Sequence, residues 1–76
     1  MIKAKKWLLI TFYTTADAMK MEKTCRLGHY PGKLVPVPRS ITSDCGIAWQ
    51  TEIGERPVME QVAAGMDVAG FYEVEY

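Results

Sequence analysis

Metal-ligating chemistry is scarce in this chain: it has one histidine and two cysteines in 76 residues. Cys25, His29 and Cys45 show no recognised ligand spacing, and no fourth ligand suggests itself, so no metal or other cofactor is expected. Charge of one sign is also lacking. Nine basic and nine acidic residues cancel to a formal net charge of +0, which removes general attraction to nucleic acid or to a membrane surface. Long apolar runs are missing too. Trp7 to Tyr13 is the nearest approach; it follows a basic start and precedes an Ala16-Asp17-Ala18 site, but Thr11 interrupts it. The run alternates like a strand and is too short to span a bilayer, so neither a signal peptide nor a membrane span is expected. Internal repeats, low-complexity tracts and linkers are absent from the sequence. One domain over residues 1–76 is expected, in the cytoplasm, where thiols stay reduced. A chain of this length buries only about 60% of its unfolded surface, so a second copy is a natural source of added stability.

What is present is a well-punctuated order of elements. Lys6 to Tyr13 alternates, with Leu8, Ile10 and Phe12 on one face and Trp7, Leu9, Thr11 and Tyr13 on the other. That second, aromatic face suits either packing within the monomer or a homodimer contact across an open sheet. Thr14 and Asp17 form a capping pattern that starts a helix, and Gly28 is a fitting stop. Ala18, Met21, Cys25 and Leu27 supply its apolar positions. Tyr30-Pro31-Gly32 marks a turn, and Lys33 to Arg39 a second strand. Pro36 and Pro38 confine that strand to a sheet edge, with the proline side facing solvent. Gly46 to Glu52 is a third strand, with Ile47 and Trp49 on one face. Gly54 turns the chain. A second helix starts near Pro57 with Val58, Met59, Val62, Ala63 and Met66 as its stripe. Phe71 to Tyr76, after Gly70, is the fourth strand.

The order β-α-β-β-α-β is the split βαβ unit of the α+β ferredoxin-like fold. Its four-stranded antiparallel sheet has the order 4-1-3-2, with both helices on one face. The topology puts the proline-bearing strand at an edge. It also makes the first and last strands antiparallel neighbours, so Lys3, Lys5 and Lys6 meet Glu73 and Glu75.

The same topology gives Cys45 a setting. The loop after the second strand, Ser40 to Cys45, lies at the end of the sheet where the first helix begins. A helix N-terminus offers free N–H groups and partial positive charge, which stabilise a thiolate. Arg39, six residues upstream, adds to this, and Asp44 is expected to point away. Ser43 either hydrogen-bonds a sulfur anion or shapes the turn. Gly46 permits a positive φ or close approach of a partner backbone. Thr14 and Thr15 cap the helix and border the same end. Cys25 lies about ten residues into the helix, roughly 15 Å from its start, whereas a bridge needs Cα atoms within about 7 Å. Cys25 therefore reads as core, and Cys45 has no resolving partner. His29 reads as a surface turn residue and Glu22 as a boundary carboxylate. A lone nucleophilic cysteine suits group carriage rather than dithiol redox chemistry. No base stands near it, so independent catalysis is not expected.

Two blocks carry a family resemblance. Leu9-Ile10-Thr11-Phe12-Tyr13-Thr14-Thr15-Ala16-Asp17-Ala18 with Met21-Glu22-Lys23 resembles the opening of the DUF3343 family, described as selenium/sulfur carrier-like. Gly32 to Ala48, through Pro38-Arg39 and Ser43-Asp44-Cys45-Gly46, resembles its proline-arginine to Ser-x-Cys-Gly segment. The resemblance implies a small cytoplasmic bacterial protein with Cys45 as the attachment point for sulfur or selenium. Arg39, Ser43 and Gly46 fall on matching motif positions. The partners implied are a sulfur or selenium donor enzyme and an acceptor protein. The contrasting expectation is a regulatory or ligand-binding module of the same fold, in which Cys45 is a turn residue.

Overall fold

A computed structural model describes residues 5–38, 41 and 46–75. The elements are β1 (Lys6–Phe12), α1 (Thr15–Leu27), β2 (Lys33–Pro36), β3 (Ile47–Glu52), α2 (Arg56–Ala63) and β4 (Val68–Glu75), with a 3-10 turn at Ile53–Glu55 before α2. The sheet order is β2-β3-β1-β4, the expected order read from its other edge, and every pairing is antiparallel.

Register explains the layers. Leu8 opposes Thr51 and Ile10 opposes Trp49 on β3, while Ile10 opposes Phe71 on β4. One sheet face therefore carries Leu8, Ile10, Phe12 and Trp49. These join Ala18, Met21 and Cys25 of α1 and Met59 and Ala63 of α2 in a single core. Both helices thus cover the same face.

The opposite face is closed at its centre within the monomer. Leu9, Thr11, Ala48 and Gln50 are buried, and Thr11 Oγ1 donates to the Gly70 carbonyl at 3.4 Å. Tyr13 and Tyr72 are the large residues left exposed there.

Element ends depart from expectation where backbone geometry intervenes. β2 stops at Pro36 rather than continuing toward Arg39. Val37 still donates its N–H to the Gly46 carbonyl at 3.0 Å. By strand alternation the ring nitrogens of Pro36 and Pro38 fall on the solvent side of that edge. β4 begins earlier than expected, at Val68, and Gly70 lies inside it. A register shift between Thr11 and Phe12 absorbs the extra residue there.

The stripe on α2 is narrower than its sequence suggests. Val58 is exposed, and Met66 packs against the core from beyond the helix end. Leu27 is exposed too, because it falls off the Ala18-Met21-Cys25 face of α1. Lys6 opposes Glu75 as expected, but the close ion pairs form elsewhere. Lys5 binds Glu52 at 2.6 Å and covers the Trp7 ring, while Glu73 binds Arg56 of α2. Lys3 and Tyr76 lie outside the described residues.

Candidate functional site

The site begins at the α1 N-terminus. Thr14 is extended, so its hydroxyl lies over the first turn, where it accepts from the Asp17 N–H at 3.2 Å and donates to Asp17 Oδ2 at 2.9 Å. The Thr14 carbonyl accepts from the Ala18 N–H. This is the expected cap, with one addition. The Asp17 carboxylate sits in the first turn and takes up part of the positive end that an added anion would use. Thr15 opens the helix and is exposed.

Gly46 stands immediately before β3 at φ 74°. A side chain there would meet open space, so the left-handed backbone rather than crowding calls for glycine. Of the two roles foreseen for it, the structure shows the positive φ. Thr11 pairs with Ala48, so β1 runs on past Ile47 and Gly46 into the Thr14 cap. Gly46 and the start of α1 therefore share one end of the sheet. The bond from Val37 to Gly46 closes the base of the loop between β2 and β3. Beside it lies a shallow apolar cleft of about 270 Å³, lined by Leu34, Val35, Pro36, Gly46 and Ile47. Arg39, Ser43, Asp44 and Cys45 lie outside the described residues.

The second cysteine is defined. Cys25 is fully buried, and its Sγ donates to Met21 Sδ at 3.5 Å. Burial pushes its thiol up to about 11, so it stays protonated and unreactive at neutral pH.

Sequence reasoning missed three features elsewhere. Gly28 is the C-cap of α1, but the left-handed residue is His29, at φ 58°. The His29 N–H bonds the Arg26 carbonyl and the Tyr30 N–H bonds the Cys25 carbonyl, a Schellman closure. Gly28 is required for another reason: the Tyr30 ring occupies the space its Cβ would take. Gly32, at φ 138°, packs against the Trp49 indole and the Gln50 carbonyl. Arg56 joins Glu60 and Glu73 and lies over Phe71, tying α2 to β4. The crowding at both glycines comes from contacts made in the fold, and nothing in the sequence pairs Arg56 with Glu73.

No helix among the described residues is long and apolar enough to cross a membrane. A family model described as "Putative Se/S carrier protein-like" matches residues 7–73. No curated protein and no solved structure matches the chain.

Proposed function

Because this chain belongs to the Se/S carrier protein-like family, we propose that it carries sulfur or selenium on Cys45 and passes it between partner proteins in the cytoplasm. The match over residues 7–73 carries this reading, since it takes in the whole Pro38-to-Gly46 segment. The chemistry of the other thiol supports it. Cys25 is buried and protonated, which leaves Cys45 as the cysteine for exchange.

In the loading step the Cys45 thiolate attacks the outer sulfur of a donor persulfide, R–S–SH. A new S–S bond forms, the donor S–S bond breaks, and the donor leaves as a thiolate while Cys45 holds –S–SH. Electrons balance without an external oxidant. With selenium, the outer atom is selenium and the bookkeeping is unchanged. Delivery reverses the step on an acceptor thiolate. Arg39, Ser43 and the α1 N-terminus with Thr14 and Thr15 are the groups proposed to favour the anionic forms, and Asp17 limits the helix contribution. The apolar cleft beside Gly46 gives a partner a surface next to the loop. The protein itself performs no turnover in this reading.

The test is the intact mass after incubation with a persulfide or selenium donor. An adduct of about +32 or about +80 Da, mapped to Cys45 and abolished by Cys45→Ser, is expected. Equal loading of Cys45→Ser would overturn the reading.

A further inference from the structure

The two edges of the sheet are built differently. The β2 edge is four residues long and carries Pro36, with Pro38 just beyond it. The β4 edge, Val68–Glu75, is eight residues long. No strand pairs with its outer side among the described residues, so alternate N–H and C=O groups along it face outward unpaired. The devices that protect a solitary edge are few here. β4 has no proline and no lysine, and its one irregularity, the extra residue Ala69, falls near its start. Gly70 to Glu75 is left as a regular, open edge.

The side chains on this edge say what fits it. Phe71, Glu73 and Glu75 fall on the helix face, opposite Ile10, Leu8 and Lys6, while Gly70, Tyr72 and Val74 fall on the open face. An antiparallel pairing sets residues of one face opposite each other, so the two-fold axis of a β4–β4 pair must pass through a residue. An axis at Glu73 or Val74 puts carboxylates directly opposite one another, Glu73 to Glu73 or Glu73 to Glu75, which is unfavourable. An axis at Phe71 runs the pairing into Ala69. An axis at Tyr72 avoids both. It brings together two Tyr72 side chains, each 39% exposed, and sets Glu73 of each copy opposite Phe71 of the other. Over that Phe71 lies Arg56, its guanidinium 5.8 Å from the ring centre. Arg56 already binds Glu73 of its own chain, and in this register it meets the second copy's Glu73 too. The edge is therefore complementary in charge to itself.

We propose that the protein forms a two-fold dimer in which the β4 strands of two copies pair antiparallel about Tyr72. Four strands from each copy then make one continuous sheet. The proline-bearing β2 strands become its two outer edges, so the assembly closes at two copies instead of growing. A chain this short gains from the added burial. The contact runs edge to edge, not across the open sheet face. The β2–β3 hairpin lies away from the junction, and the inference does not rest on the carrier reading.

The test is sedimentation equilibrium over a concentration series, joined to amide hydrogen exchange. The mass should rise to that of two copies, and exchange at alternate amides between Gly70 and Val74 should slow as concentration rises. Tyr72→Lys and Tyr72→Glu should each weaken association by about tenfold or more, through loss of the aromatic pair and like charges set opposite each other. An equimolar mixture of the two variants should associate more tightly than either alone, because the axis at position 72 then sets opposite charges together. Lys33→Glu, on the other edge, should dimerise as the parent does. The proposal is overturned by a single-copy mass throughout the series, by a dimer whose β4 amides exchange independently of concentration, by undiminished association of either Tyr72 variant, or by a mixture no tighter than its components. The exchange readout uses the parent protein, so it stands even where a variant folds poorly.

Discussion

Burial separates the two cysteines chemically. With its thiol raised to about 11, Cys25 is expected to resist iodoacetamide at neutral pH and to react only after denaturation, while Cys45 is modified in the native protein. Peptide mapping after brief labelling checks this. The same shift has a pH signature. The folded state holds the Cys25 proton more tightly than the unfolded chain, whose thiol titrates near its ordinary value of 9.0. Its contribution to stability is therefore complete below about pH 9 and is lost as pH rises through about 11. The thermal midpoint should fall across that window, and Cys25→Ala should show a smaller fall. At the α1 exit, His29 holds a left-handed conformation that costs an L-residue about 1 kcal/mol. His29→Gly is expected to recover somewhat less than that, because glycine loses more freedom on folding; urea denaturation measures it. Individual residues were the least legible scale of the sequence. Gly28 was recognised as a helix end, yet its need for room arises from Tyr30, a contact that propensity cannot report.

Among the elements, α1 was read almost residue for residue, because its start is encoded locally: Thr14 and Asp17 are three apart and satisfy each other. Thr14→Ala should cost about 1 kcal/mol by denaturant unfolding, since it strips the acceptor from the Asp17 N–H. The strands were less legible at their ends. Nothing local tells β2 to stop at Pro36 or β4 to begin at Val68; partner strands and the shift at Thr11/Phe12 decide both. The two edges of the sheet also differ in kind. Prolines close the β2 edge, while β4 carries no proline along its length. The turn before β2 depends on glycine for a tertiary reason. In Gly32→Ala the new methyl would meet both the Trp49 indole and the Gln50 carbonyl. The loss should exceed that of an ordinary glycine substitution at positive φ, roughly 1 kcal/mol. Gly46→Ala, which meets open space, is the natural comparison in the same unfolding measurement.

For the whole molecule, topology was legible because two independent signals agreed with the element order: prolines asked for an edge and terminal charges for neighbouring end strands. What the charges did not reveal was their partners. Lys5 found Glu52 and Glu73 found Arg56, each from an element distant in sequence. Among the described residues the core is one cluster of modest size, so a large loss there has no second cluster to offset it. Phe12→Ala, which empties a fully buried position, should cost about 3–5 kcal/mol. That is comparable to the whole stability of a small domain, so far-ultraviolet circular dichroism should show a substantially unfolded chain at room temperature.

The bond from Val37 to Gly46 has an energetic corollary. It fastens the loop at its root, on the hairpin farthest from the β1–β4 pair. Loop closure cost grows only slowly with length, by about 0.6 kcal/mol per doubling. The segment above that fastening can thus change in length at small energetic cost while the strand pairing beneath it is kept.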